Sequence, residues 1–203
     1  MRNRPIDRIA AACIVAAALA CGLVRPATAA EDGGTWGVAQ LMRELGRVGR
    51  SQAHFTERKY LKVLKAPLQS SGTLIYTAPD KLEKRTLKPR PEAMVIDGET
   101  LTVETVDGKR HTLKLRDYPV LWAFVESIRA TLGGDIATLE RFYKVELEGV
   151  PARWQLYLAP RERSMSRVIS QIRIGGAAAR IELIEVQEAG GDRSVMKVVE
   201  DAP

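Results

Sequence analysis

Few side chains in this sequence have the types and spacing that metal binding or catalysis requires. The two histidines, His54 and His111, have no partner at a metal-binding spacing such as H-x-x-x-H, and both lie in strand-like segments. Such a histidine is most simply a surface or edge-strand residue, although one could act as a lone general base. The histidines therefore predict no metal site.

Motifs for a nucleophile or a phosphate loop are also missing from the sequence. There is no G-x-S-x-G, G-x-x-x-x-G-K or G-x-G-x-x-G, and Ser70-Ser71-Gly72 has no identifiable base beside it. Glu146 and Glu148 share the polar face of a strand, whereas a catalytic carboxylate needs burial to shift its pKa. We therefore predict a protein that is not an enzyme and uses no cofactor. A hydrolase or an acyl-transfer enzyme is the least favoured class.

The amino-terminal segment has the layout of a secretory signal. Arg2, Arg4 and Arg8 precede an apolar run over residues 9–24, and Ala27-Thr28-Ala29 then supplies an A-x-A cleavage site. The apolar run has about 16 residues, fewer than the roughly 20 that a membrane-spanning helix needs. This pattern predicts a cleaved signal peptide rather than an uncleaved membrane anchor, and hence an exported protein.

Cleavage after Ala29 divides the chain into a signal peptide, residues 1–29, and a single domain, residues 30–203. Both cysteines, Cys13 and Cys21, belong to the signal, so the mature domain would have no disulfide and no reactive thiol. Lys plus Arg falls from 31 to 27 and Asp plus Glu from 25 to 24, so the formal net charge falls from +6 to +3. A lipid anchor attached through Cys21 remains the alternative location.

Most of the mature sequence alternates with the two-residue period of strands. About ten such segments follow one another without a βαβ rhythm. Asp97-Gly98 and Asp107-Gly108 predict tight turns that join three consecutive antiparallel strands. A change of alternation between Leu183 and Ile184 predicts a bulge.

Two segments have the period of amphipathic helices. The first covers residues 34–49 over about four turns. The second covers residues 118–132, with Asp117 as its cap and Gly133-Gly134 as its stop, and a short turn follows at residues 135–139. These elements predict an α+β fold: one large curved antiparallel sheet with helices on one face.

Basic residues concentrate at residues 58–65 and 81–90. Nucleic acid is a poor candidate partner because the protein is predicted to be exported, its mature charge is low and no motif combines aromatic and basic residues. Solvated strand faces explain these clusters most simply. Contacts with anionic lipid headgroups or with an acidic protein are the alternative.

Three segments, in order, resemble motifs of the periplasmic outer-membrane lipoprotein carrier family (LolA-like). Residues 53–57, AHFTE, are similar to the family's F-[TS]-Q strand. Residues 71–82, SGTLIYTAPDKL, are similar to its G-x-[LF]-x-[VF]-x-[RK]-P-x-x-[FL] pattern. Residues 95–101, VIDGETL, are similar to its [IV]-x-[SD]-G-x-x-[LV]-W hairpin. The ordered set behind a signal peptide resembles a divergent member of the family.

The resemblance implies an incomplete β-barrel whose mouth is covered by helices and which encloses a hydrophobic cavity. Members of this family receive lipoproteins from an inner-membrane transporter, hold their acyl chains and deliver them to an outer-membrane acceptor. The resemblance therefore implies a monomeric carrier, located in the periplasm, for lipoproteins or for another envelope lipid. The alternative is a non-catalytic structural or regulatory envelope module that binds a protein partner and has no lipid pocket.

Apolar residues are the candidate lining of this cavity, although the same residues would also serve in a packed core. The predicted strands supply Phe55, Leu74, Tyr76, Leu82, Met94, Ile96, Leu101, Val103, Leu113 and Trp154, and the predicted helices supply Leu41, Leu45, Trp122 and Phe124.

Three positions depart from the family pattern. Ala78 replaces an arginine that helps to hold the family's lid closed, and an alanine cannot donate those hydrogen bonds. Thr102 replaces a tryptophan, and Lys84 replaces an aromatic residue on the cavity side. Lys84 completes the predicted lipid-binding set, and it would favour a cargo with an anionic head unless its ammonium reaches solvent.

Overall fold

The computed structural model describes residues 36–201, in which eleven strands form one sheet that four helices accompany. The strands are β1 Arg50–Tyr60, β2 Leu68–Thr77, β3 Lys81–Lys88, β4 Glu92–Asp97, β5 Thr100–Thr105, β6 Arg110–Lys114, β7 Tyr143–Val150, β8 Arg153–Pro160, β9 Ile169–Ala177, β10 Arg180–Glu188 and β11 Arg193–Glu200. The helices are α1 Val38–Leu45, α2 Pro119–Gly133, α3 Ile136–Phe142 and α4 Arg163–Ser166, with a 3₁₀ turn at Leu115–Asp117.

The sheet is antiparallel throughout and open. Its strand order is β6-β5-β4-β3-β2-β1-β11-β10-β9-β8-β7, so the first and last strands pair at its centre, where Ala53 lies opposite Glu200. The edge strands β6 and β7 do not pair with each other. The chain crosses from one edge to the other through α2 and α3, which confirms the predicted α+β fold with an unclosed sheet.

The predicted turns and bulge are confirmed. The Asp97-Gly98 turn joins β4 to β5 and the Asp107-Gly108 turn joins β5 to β6, with both glycines at positive φ. The register between β9 and β10 shifts between Ile181 and Leu183, next to the predicted change of alternation.

Helix boundaries differ from the prediction in three places. Helix α1 has eight residues rather than four turns. Its cap, Gly46, lies against α2, where a Cβ would stand 2.7 Å from the carbonyl oxygen of Gly133. Asp117 does not cap α2, since that helix begins at Pro119, whose fixed φ suits a first turn and which has no N–H to cap. The predicted turn after α2 is the helix α3, capped by Asp135.

The hydrophobic core lies between the inner face of the sheet and the helices. In β1, for example, Ser51, Ala53, Phe55 and Glu57 are buried and the residues between them are exposed. No helix in residues 36–201 is long and apolar enough to cross a membrane. The predicted signal peptide and both cysteines lie outside the described residues.

Candidate functional site

The structure brings the predicted lining residues together in one interior. Leu113 and Trp122 are partly buried against the core, and the remaining members of the set are buried. A cavity and a packed core would both bring these residues together. The free space between them is what distinguishes a cavity from a packed core.

An apolar crevice lies between α2 and the sheet. Its walls are Phe124, Ser127, Ile128, Thr131 and Leu132 of α2 and Leu158, Ile172, Ile174, Ile184 and Val186 of β8, β9 and β10. Its free volume is about 20 Å³, which is room for about one water molecule and not for an acyl chain. In this conformation α2 therefore rests close against the sheet.

Among the crevice residues, only Phe124 belongs to the predicted lining. The strand residues of the crevice are buried members of alternating segments, so their alternation was the signal that could have identified them. Ser127 and Thr131 gave no apolar signal. The Ser127 hydroxyl donates to the carbonyl of Ala123 at 2.6 Å, and the Thr131 hydroxyl donates to the carbonyl of Ser127 at 2.8 Å. Both hydroxyl donors of this helix are therefore satisfied within the helix.

A buried ion pair stands on the same face of the sheet. The ammonium of Lys84 on β3 donates to Oε2 of Glu57 on β1 at 2.8 Å, and the two residues are only 5% and 7% exposed. Ser194 of β11 donates to Oε1 of Glu57 at 2.7 Å, and Ser70 of β2 donates to Oε2 at 3.3 Å. Four strands therefore contribute to this cluster, which we call the Glu57–Lys84 cluster.

Lys84 was predicted to lie near the interior, whereas Glu57 was not. The signal was present, because Glu57 has the same phase in β1 as the buried Ala53 and Phe55, just as Lys84 has the phase of Leu82 in β3. Opposite charges on the apolar faces of two nearby strands are expected to pair, since an isolated buried charge is costly.

The cluster has a defined effect on the pKa of Glu57. Burial alone would raise that pKa, but the Lys84 charge and the hydrogen bonds from Lys84, Ser194 and Ser70 outweigh burial and hold it below the ordinary value of 4.5. Glu57 is therefore ionised at neutral pH, and the pair carries no net charge.

The lowered pKa predicts a specific loss of stability in acid. As the pH falls below about 4.5, the unfolded chain binds a proton at Glu57 before the folded protein does, so folding stability decreases. Urea unfolding measured from pH 6 to pH 3 should show this loss in the wild type and less of it in E57L/K84M. Parallel pH profiles for the two proteins would contradict the assignment.

A cleft adjoins the cluster at the end of the sheet where β1 joins β2, and we call it the polar cleft because most of its lining residues are polar. It has a volume of about 640 Å³ and is lined by Glu57, Lys59, Pro67, Leu68, Gln69, Ser70, Lys84, Thr86, Pro89 and Glu92. Lys84 and Glu57 therefore border a space that a ligand group could occupy.

Arg129 connects α2 to the sheet by hydrogen bonds. Its guanidinium donates to the backbone carbonyls of Asp80, at 2.8 Å, and of Gly98, which lie in the β2–β3 and β4–β5 turns. It also pairs with Glu126 of the same helix at 2.9 Å. These contacts hold α2 over the crevice, and they come from the helix rather than from position 78, where this chain has alanine.

Replacing Arg129 is therefore expected to loosen α2. In R129M, amide hydrogen exchange across α2 should be at least about fivefold faster, because two backbone acceptors in the turns lose a charged donor. R43M, which changes an exposed arginine of α1, serves as the control. Equal exchange rates in R129M and the wild type would show that the arginine does not hold the helix.

Comparison with known proteins was informative at the level of the family. Residues 29–199 match the model of a family described as outer membrane lipoprotein carrier protein LolA-like. The comparison with curated proteins gives no match.

Solved structures similar to this chain have low sequence identity. A LolA superfamily protein, NE2245, from Nitrosomonas europaea is 13% identical with a TM-score of 0.44, over 83% of this chain and 96% of that chain. LprF from Mycobacterium bovis is 8% identical with a TM-score of 0.36, over 82% and 93% of the two chains. A putative outer membrane lipoprotein-sorting protein domain from Vibrio parahaemolyticus is 8% identical with a TM-score of 0.42, over 81% and 91%.

The family match carries the assignment, because it extends over nearly all of the described residues. It agrees with an open sheet whose apolar face is covered by helices and with the order of the three motifs. The family consists of non-enzymatic carriers that act in the periplasm. This chain belongs to the LolA-like family of outer membrane lipoprotein carrier proteins.

Proposed function

We propose that this protein carries an acyl-bearing molecule, a lipoprotein or another envelope lipid, from the inner to the outer membrane, with the acyl chain held under α2. The observation that carries the proposal is the apolar crevice between α2 and strands β8–β10. On this proposal α2 moves away from the sheet to admit the chain, and the contacts of Arg129 set the closed position.

The energetics explain why such a crevice would be useful. Moving an acyl chain of ~16 methylenes from an apolar environment into water costs on the order of 10 kcal/mol of free energy, at ~0.8 kcal/mol per methylene. Contact with buried apolar side chains such as Ile172, Ile174 and Ile184 would avoid much of this cost. The sheet is open, since β6 and β7 do not pair with each other.

The proposal extends to the surroundings of the protein. It includes cleavage after Ala29, a single periplasmic domain over residues 30–203, action as a monomer, an inner-membrane transporter that loads the cargo and an outer-membrane acceptor that receives it. It also includes the predicted lining residues, of which Phe124 borders the crevice and Lys84 borders the polar cleft.

Native mass spectrometry of protein purified from the periplasm tests the proposal. The wild type should retain an acyl-bearing molecule, and I128E should retain at least about tenfold less, because a carboxylate in the crevice would lose hydration when an acyl chain covers it. Ile128 is only half-buried, so the longer side chain can be accommodated.

V199E is the matched control, since Val199 is 67% exposed on the outer face of β11. It should retain as much lipid as the wild type. A wild-type protein that is free of acyl-bearing molecules and gains none when incubated with lipid vesicles would overturn the proposal and favour a module that binds a protein partner.

A further inference from the structure

The ammonium of Lys84 has hydrogen-bonding capacity that the described residues do not use. An ammonium has three N–H donors. Lys84 gives one to Glu57 and stands over the Phe55 ring, 4.9 Å from its centroid. The residue is only 5% exposed, and the cleft that it lines is where a further acceptor, water or a ligand oxygen, can approach its ammonium. A buried charged donor of this kind is stabilised by a further oxygen acceptor.

The polar cleft beside this donor has no excess of positive charge. The four charged residues that line the polar cleft are two lysines and two glutamates: Glu57, Lys59, Lys84 and Glu92. Glu57 cancels the charge of Lys84 directly, and Lys59 lies 3.4 Å from Glu188. An anionic ligand would therefore gain little from the net charge of the cleft. A neutral oxygen acceptor would gain a hydrogen bond from a charged donor.

The cluster is also aligned with the apolar crevice. Val186 borders the crevice on β10 and lies opposite Ser194 of β11, and Ser194 donates to Glu57 at 2.7 Å. Adjacent strands are ~4.8 Å apart, so the apolar wall passes into the polar cluster within two strands. An acyl chain in the crevice that extends toward β11 would bring its head group to this cluster.

We propose that the Glu57–Lys84 cluster binds the carbonyl oxygen of the ester or amide that joins an acyl chain to its head. This inference rests on the proposed function, because it needs an acyl chain in the crevice. It replaces the preference for an anionic head that Lys84 alone would predict, since the structure supplies Glu57 as a counter-charge.

Competition with a fluorescent apolar dye, N-phenyl-1-naphthylamine, tests the inference with three probes of equal chain length: dodecane, methyl dodecanoate and dodecanoate. In the wild type, methyl dodecanoate should bind at least about tenfold more tightly than dodecane, because it accepts a hydrogen bond from a charged donor. Dodecanoate should bind within about threefold of the ester, because the cluster has no net charge.

The double variant E57L/K84M removes the donor and its counter-charge together while retaining an apolar interior. In this variant the ratio of ester to alkane affinity should fall at least about fivefold, and dodecane binding should be retained. Comparing this ratio between proteins cancels the difference in the solubilities of the probes. K84R, which keeps a charged donor, should preserve the ratio. E83Q/R85Q, which removes the 2.9 Å pair on the outer face of β3, is the control.

The outcomes separate the two proposals. An unchanged ratio in E57L/K84M, or dodecanoate binding more than about tenfold tighter than the ester in the wild type, would overturn carbonyl recognition while acyl-chain binding stands. If no probe displaces the dye from the wild type, the proposed function fails and this inference fails with it.

Discussion

The single variant K84M is expected to lose about 3–5 kcal/mol of folding stability, whereas E57L/K84M should unfold close to the wild type. Removing the ammonium leaves the Glu57 carboxylate buried, with hydrogen bonds only from Ser194 and Ser70. Replacing both members with apolar side chains of similar size removes the uncompensated charge. Each of the two residues is therefore needed for folding stability only when the other is present.

Urea unfolding followed by tryptophan fluorescence measures this effect, since Trp154 is fully buried and reports on the core. R85M is the matched control on the same strand: Arg85 pairs with Glu83 at 2.9 Å, but its side chain is 57% exposed. That variant should change stability by less than about 1 kcal/mol. A K84M protein as stable as the wild type would mean that the carboxylate has access to water.

The second large expected effect is at Gly134, where alanine should cost about 2–4 kcal/mol. Gly134 ends α2 with φ of 72°, a left-handed conformation that favours glycine. A Cβ there would lie 2.3 Å from the carbonyl oxygen of Met42, which belongs to α1. The substitution would therefore strain the end of α2 and force α1 away from it.

The neighbouring glycine provides the control for this prediction. Gly133 is the last residue of α2, and a Cβ added to it would have no atom within 4 Å. G133A should therefore be neutral or gain up to about 1 kcal/mol from the better helix propensity of alanine. Thermal unfolding of the two variants measures the difference. Similar melting temperatures for G133A and G134A would show that α1 does not constrain the end of α2.

Much of the fold could be predicted from local sequence. The Asp-Gly pairs determined the two hairpins of β4, β5 and β6, because this dipeptide favours a turn whose twist matches antiparallel strands. The end of α2 could also be predicted from local sequence, since Gly134 adopts the left-handed conformation that glycine favours. The end of α1 at Leu45 was not predicted, and the close approach of Gly46 to α2 is a contact between elements that local sequence does not show.

The site was harder to predict, because its parts come from distant positions in the chain. Glu57 and Ser194 are separated by 137 positions and meet only because β1 pairs with β11. Arg129 meets the carbonyls of Asp80 and Gly98 because α2 crosses over two turns that lie far away in sequence. Alternation identified which side chains face inward but gave no order of the strands.

The family resemblance placed Lys84 on the cavity side. The sequence by itself determined which faces are apolar and where tight turns occur. These properties follow from the backbone period and the turn preferences of short segments. Only the tertiary structure decided that Lys84 is neutralised by Glu57 and that the crevice lies between α2 and β8–β10. Strand order and helix placement minimise buried charge and exposed apolar surface over the whole chain, so no single segment contains that information.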